Sequence, residues 1–213
     1  MENIPTPNKK IIEEYLINWD NLEEHYIWQE SSLDKLFHKD YKNNTDLNEI
    51  LIKCSCLNDF YSTNIFLIYQ VAKKNYDLKI DKRLKNGDPL LVNDIAHVTI
   101  SGKEKVFYSF ASKYCSHHNN NEFPIYDYFV DRMLMNFKNK DNFAKFTKED
   151  LKAYVKFKNI LIQFKKNYKI DEYNLRDIDK YLWIAGKEYF PKKILEFMKN
   201  LILFFVNQYV NSK

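Results

Sequence analysis

The sequence predicts an all-α protein, a single globular multi-helix domain, on three observations. Long stretches carry apolar residues at three- and four-residue intervals, the period of an amphipathic helix. Only 3 glycines and 5 prolines punctuate 213 residues, too few for the tight turns of a sandwich, a barrel or a repeated strand–helix architecture. Hydrophobic residues make up 45% and aromatics 16%, enough to bury one full core and to exclude disorder.

Residues 1–8, with two prolines, read as a flexible tail ahead of a domain spanning 9–213. Helical patterning starts near Lys9 and runs to about Trp19. A second helix, about 21–39, carries Leu22, Tyr26, Leu33 and Phe37 at helical intervals. Asn43-Asn44-Thr45 breaks it, and Asp46 is placed to cap a helix carrying Leu47, Ile50, Leu51 and Leu57. A helix over about 62–75, apolar nearly all round, is expected at the centre. Asn86-Gly87-Asp88-Pro89 is the clearest turn, with a short helix from about 89 to 96 behind it.

Ser101-Gly102-Lys103-Glu104 has capping-box spacing. It predicts the start of a helix that holds Val106, Phe107, Phe110, Ala111 and Tyr114 and ends at Asn119-Asn120-Asn121. Pro124 forces Phe123 out of helical geometry, so 120–126 reads as an extended connector. Asp127 starts the next helix, to about 138. A long basic helix over about 148–167, another over about 174–188, and a C-terminal apolar helix from Pro191 to about Val210 complete the chain.

Formal net charge is +4, but between Lys138 and Lys169 ten lysines face only Asp141, Glu149 and Asp150. Such a block is either the footprint of a polyanion partner or an ordinary solvated lysine face. Three cysteines, Cys54, Cys56 and Cys115, form a reduced inventory. The N-terminus lacks an apolar signal-peptide core, and the longest apolar run, Leu201 to Val206, cannot span a bilayer. A soluble, cytoplasmic protein is expected.

Two residues carry the strongest chemical signal. Lys113 lies at the edge of an apolar stripe through Phe110 and His117, where a lysine either snorkels to solvent or is partly buried with a depressed pKa. A desolvated amine attacks electrophilic carbon such as a sugar C1′. Asp127, framed by Ile125, Tyr126, Tyr128, Phe129 and Val130, is either a plain helix cap or a site carboxylate. Held by helix-start amides it stays ionised and can stabilise an oxocarbenium-like transition state.

Cys115, His117 and His118 are ligand types for zinc, but consecutive histidines point to different helix faces and no partner follows at ligand spacing. No metal and no cofactor is expected. Lys145, Lys148, Lys152 and Lys156 recur at three- and four-residue steps, as a phosphate-contacting ridge or a wet face would. Three glycines cannot build a phosphate loop, and no G-x-S-x-G occurs. Nucleotide-fuelled enzymes and serine hydrolases are excluded.

Phe110-Ala-Ser-Lys-Tyr-Cys115 followed by Pro124-Ile-Tyr-Asp-Tyr-Phe-Val130 resembles a signature of proteins related to 8-oxoguanine DNA glycosylase, in the all-α helix-hairpin-helix DNA glycosylase superfamily. There the catalytic aspartate opens a helix, and Asp127 stands in its place within Ile125 to Arg132. Tyr181-Leu-Trp-Ile-Ala-Gly-Lys-Glu188 is similar to a late helix of that group. Together these cover about a third of the chain. Two departures stand out. The superfamily's Gly-x-Gly hairpin is represented here only by Ser101-Gly102-Lys103. Aligning the helices on Ala111 sets Ser109 where bifunctional members carry the Schiff-base lysine, with Lys105 and Lys113 to either side.

The resemblance implies excision of a damaged or modified base from DNA, with associated lyase activity if a lysine attacks. Asp127 and Lys113 (less readily Lys105) are the implied catalytic residues, and His117, His118, Tyr126 and Trp183 the base pocket. Lys103, Lys105, Lys145, Lys148, Lys152 and Lys156 are the implied backbone contacts. A non-catalytic nucleic-acid- or protein-binding module that keeps the fold is the alternative.

Overall fold

In the computed structural model, which describes residues 4–191 (the side chain of Asp20 excepted), local capping sets the main helix starts. Asn8 accepts from the Ile11 amide and opens α1, Lys9–Asp20. After α2, Glu24–Lys35, the chain continues through a π-helical turn, Leu36–Asp40. Asp46 caps α3, Leu47–Phe60, through the amides of Asn48 and Glu49. Then come α4, Ile68–Asp77; α5, Asp81–Lys85; and α6, Leu90–Ala96. Two short strands, β1 at His97–Ile100 and β2 at Lys103–Val106, precede α7, Tyr108–His118. Asp127 caps α8, Tyr128–Asp141. A 3-10 turn, Asp150–Lys152, leads to α9, Tyr154–Tyr168. Asn174 and Asp177 form a reciprocal capping box on α10, Leu175–Tyr189. The C-terminal helix expected over 191–210 lies outside the described residues except for Pro191.

The protein is mostly helical, with a two-stranded antiparallel sheet that the sequence did not announce. Ser101-Gly102 is the tip of that hairpin rather than a helix cap. Both residues sit at positive φ, 49° and 74°, the pair of angles that lets a two-residue turn follow the twist of its strands. Strand pairing from His97↔Val106 to Ile100↔Lys103 therefore replaces the expected first turns, and α7 starts only at Tyr108.

Three further expectations change. The segment 61–67 is a braced turn, not the start of a central helix. The Asn58 side chain accepts from Ile65 N at 2.9 Å and Thr63 Oγ1 at 2.7 Å, and donates to Ile65 O. Ser62 and Asn64 take positive φ, α4 begins at Ile68, and Phe66 stands 95% exposed. The central helix is α7, buried at every position from Phe110 to His117. The basic helix is broken at Ala153, whose φ of −103° and ψ of 105° are extended. The segment before α1 is also anchored, at Ile4, which is 2% exposed and whose carbonyl accepts from Lys140 Nζ at 2.6 Å, while Pro5, Thr6 and Asn8 stay exposed.

One apolar cluster runs from Ile4 and Ile12 through α3, α6, α7 and α8 to Ala185 of α10. Gly186 sets how closely α10 meets α8: a Cβ there would stand 2.6 Å from Phe129 Cβ and 3.0 Å from Phe129 O. The approach brings the first turn of α8 beside one face of α10. Among the described residues, no helix is long and apolar enough to cross a membrane.

Candidate functional site

Lys113 and Asp127 line the same cavity, a space of about 640 Å³ walled by α2, the end of α3 with its braced turn, the foot of the β-hairpin, α7, the start of α8 and α10. Lys113 does not snorkel. It is 4% exposed, donates to Ser109 Oγ at 2.7 Å, reaches Tyr126 O at 3.5 Å and lies over the Tyr61 ring. Ser109, one turn earlier on α7, thus holds the amine of Lys113.

Asp127 is a true N-cap, and both amides it accepts from, Phe129 N at 2.9 Å and Val130 N at 3.0 Å, fall on the single oxygen Oδ1. Cap and site are compatible roles, because the cap occupies one of the two carboxylate oxygens.

The opposite wall comes from α10. Arg176, Asp179, Lys180, Trp183 and Lys187 follow at helical steps and all line the cavity. Arg176 bridges two carboxylates: Nη1 donates to Asp179 Oδ2 at 3.0 Å, and Nη2 bonds Glu30 Oε1 on α2. Burial drives the Asp179 carboxyl up to about 7, with the nearby Asp127 charge adding to the rise and Arg176 and Lys113 opposing it. For Glu30, burial also works upward, but Arg176, His117 and Lys180 outweigh it and hold the carboxyl below its usual range.

An aromatic wall adjoins these charges. Trp183 meets Trp19 and Tyr26 edge-on at 5.7 Å each. Lys187 Nζ stands 4.3 Å from the Tyr26 ring centre and 4.6 Å from that of Trp183, and Lys180 Nζ 4.8 Å from that of Trp19. Cations on aromatic faces beside a void suit a flat, electron-rich or anionic guest.

Of the expected pocket residues, Trp183 alone lines this cavity. Tyr126 turns its ring onto Tyr108 and Phe157 and donates to Asp131, so only its carbonyl serves the site. His117 pairs with the Tyr61 hydroxyl at 2.9 Å and is linked to the cavity through that tyrosine; burial lowers its pKa to about 4. His118, one residue on and so rotated about 100° around the helix, goes to a separate cluster with Asn44 and Lys53.

The expected backbone contacts are also redistributed. Lys103 and Lys105 are exposed on β2, which removes Lys105 as a nucleophile inside the cavity. Lys145, Lys148, Lys152 and Lys156 are exposed but share no helical row: the first two lie before the 3-10 turn, the third in it, and the fourth on α9. Lys156 is paired with Asp150 at 2.6 Å. Cys54 and Cys115 are buried free thiols, pushed upward in pKa by that burial. No group of three or more His, Cys, Asp or Glu among the described residues is arranged to hold a metal ion.

Arg176, Asp179, Glu30 and Tyr61 were not singled out by sequence. The α10 members had a readable signal, a charged and tryptophan-bearing row behind a capping box, but Glu30 joins it across 146 residues of chain.

Fold and site together define a helical protein with a buried, charged and aromatic-walled cavity. Residues 11–122 match the HI_0787_N family, described as an N-terminal domain. An uncharacterized protein of Haemophilus influenzae is 50% identical over 151 residues, covering 70% of this chain and 72% of that protein. The chain belongs to this family. The family match takes in α1 to α7, including Lys113, and stops before Asp127 and α10. No solved structure matches.

Proposed function

We propose that the protein is a DNA glycosylase-like enzyme that excises a damaged or modified base, with associated lyase activity through Lys113. The observation that carries this is the meeting of Lys113 and Asp127, a buried amine and a capped carboxylate, in one cavity of about 640 Å³. That size lies within the usual range of small-ligand sites and accommodates a flipped nucleoside. The base would stack against the wall of Trp183, Trp19 and Tyr26 while Asp127 steadies positive charge developing on the sugar. Lys113 would attack C1′.

The rim favours nucleic acid over a free small molecule. Phe66, bare on the turn braced by Asn58, belongs to the same loop as the cavity residues Ser62, Thr63 and Ile65. An apolar side chain so displayed can stack in the gap a flipped nucleotide leaves, offsetting an unstacking cost of about a few kcal/mol. On this reading the β1–β2 ribbon would stand in for the superfamily's helical hairpin, and phosphate contacts would fall to Lys103 and Lys105 on β2 and to Lys145, Lys148 and Lys152.

Borohydride trapping on oligonucleotides carrying 8-oxoguanine, uracil or an abasic site tests the proposal. A covalent adduct present with the parent protein and absent with Lys113→Gln establishes the lyase. Base release lost in Asp127→Asn establishes the glycosylase. Salt-dependent binding without adduct or release would favour the non-catalytic binding module instead.

A further inference from the structure

α7 is buried from Phe110 to His117, yet Ser109, Ser112 and Lys113 set three polar side chains on one of its faces. Ser112 is 0% exposed and Lys113 4%. Polar groups so placed are costly unless they are bonded. With the backbone of Tyr126 these three close a ring of hydrogen bonds that begins and ends on Ser109. Lys113 Nζ donates to Ser109 Oγ at 2.7 Å and reaches Tyr126 O at 3.5 Å. The Tyr126 amide donates to Ser112 Oγ at 3.1 Å, and the Ser112 hydroxyl donates to Ser109 O at 2.9 Å.

The ring ties α7 to the segment ahead of α8. Tyr126 directly precedes Asp127, whose Oδ1 takes the Phe129 and Val130 amides. Pro124 is held from α9, where the Tyr154 hydroxyl donates to its carbonyl at 2.8 Å. The chain is therefore pinned on both sides of Ile125. A joint between α7 and this segment needs only the Ser112–Tyr126 contact. The Ser109–Lys113 bond runs within the helix, one turn apart, so it adds nothing to that joint. What it fixes is the amine, which also lies over the Tyr61 ring. Lysine gives up more side-chain freedom than most residues when it is fixed.

We infer that Ser109 and Ser112 are positioning residues, a clamp that sets the Lys113 amine against the segment carrying Asp127. The inference rests on the glycosylase reading, in which Lys113 attacks C1′, and adds the groups that aim the attack. Neither serine makes or breaks a covalent bond. Ser109 directs the amine, and Ser112 fixes how far the Asp127 segment stands from it. A reacting group misplaced by about 1 Å loses roughly 10²-fold in rate.

The test uses the full chain and borohydride trapping on an abasic-site oligonucleotide, in single turnover at saturating protein. That substrate isolates the lysine step from base release. Ser109→Ala should slow trapping roughly 10- to 100-fold and leave oligonucleotide affinity within about a factor of three. Ser109→Thr, which returns the hydroxyl, should recover most of the rate. Ser112→Ala should slow trapping as well. An unchanged rate in Ser109→Ala overturns the inference. So does a slowing that Ser109→Thr fails to recover, which marks a structural role. If Ser112→Ala fails to fold, the two Ser109 variants decide.

NMR separates the clamp from the glycosylase reading. In protein isotope-labelled at the lysine ε-carbon, Lys113 is assigned by its absence in Lys113→Gln. Its two ε-protons should resonate apart in the parent, merge in Ser109→Ala and separate again in Ser109→Thr. Merged signals in the parent, or no change in Ser109→Ala, overturn the clamp. No adduct from the parent on any oligonucleotide removes the glycosylase reading alone, and the ε-proton signals then decide the clamp.

Discussion

Two buried charge clusters take one histidine each from the end of α7, and they are built differently. His118 belongs to a closed knot. Lys53, 0% exposed, gives its Nζ to Tyr41 O at 3.0 Å, Asn43 O at 2.8 Å and Asn44 Oδ1 at 2.8 Å. Asp81 accepts from the Asn44 amide and side chain, and Tyr114 donates to Asn44 Oδ1. An ammonium has three donors, and three oxygens stand ready for them. Burial still brings Lys53 down to about 8, with Asp81 working the other way.

His117 belongs to the open cluster, where Tyr61, Glu30, Arg176 and Asp179 adjoin the cavity. There burial and the neighbouring Asp127 push the Asp179 carboxyl up to about 7 against Arg176 and Lys113. The contrast shows how burial alone fails to distinguish a structural charge from a reactive one. The difference lies in whether preformed acceptors close around it or a void is left beside it.

The comparison breaks most sharply at Lys53. Lys53→Met should cost roughly 1–3 kcal/mol of stability, because Asn44 Oδ1 and the Tyr41 and Asn43 carbonyls lose a fully buried donor. Urea unfolding measures this, and a cost below about 1 kcal/mol would place Lys53 among ordinary surface lysines. Asp127→Asn should do the reverse. Asparagine caps as well as aspartate, so stability should stay within about 0.5 kcal/mol, while base release falls by roughly 10²- to 10³-fold.

A smaller effect separates the groups within the open cluster. The His117 pKa is lowered to about 4, so the unfolded chain binds the extra proton and stability is lost as pH falls from about 6.5 through 4. The Asp179 pKa is raised to about 7, so the native state holds the extra proton and stability is lost as pH rises from about 4 through 7. The two slopes oppose one another over about pH 4 to 6.5. The unfolding midpoint should therefore rise with pH more steeply across that window in Asp179→Asn than in His117→Asn, where His118, also lowered by burial, still works against Asp179. Parallel slopes in the two variants would show that the groups do not titrate as assigned.

The smallest expected effect on stability is at the cavity rim. Phe66→Ala removes a side chain that packs against almost nothing, so the unfolding midpoint should scarcely move. Binding to a lesion-bearing duplex should weaken roughly ten-fold. Unchanged binding would remove the stacking role.

Legibility in the sequence followed the range of the interaction. Asp46 and Asp127 are visible because a cap bonds amides two or three residues away. Ser101-Gly102-Lys103-Glu104 misled because serine and glutamate at that spacing fit a capping box, whereas the consecutive positive φ angles at Ser101 and Gly102 make it a hairpin tip. The turn before α4 was hidden by its apolar residues. The Asn58 amide that braces it is a single polar side chain with no periodic signal.

By itself the sequence determined the mostly helical class and the main helix starts, and it singled out Lys113, Asp127 and Trp183 as candidates, since period, capping and a lysine at the edge of an apolar stripe are local properties. Only the tertiary structure decided that Lys113 faces Asp127's cavity, that Arg176 is divided between Glu30 and Asp179, and that His117 and His118 serve different clusters. Those outcomes depend on helix registers and on the close approach that Gly186 permits between α8 and α10. Electrostatic partnership across more than a hundred residues is set by packing, which local pattern does not encode.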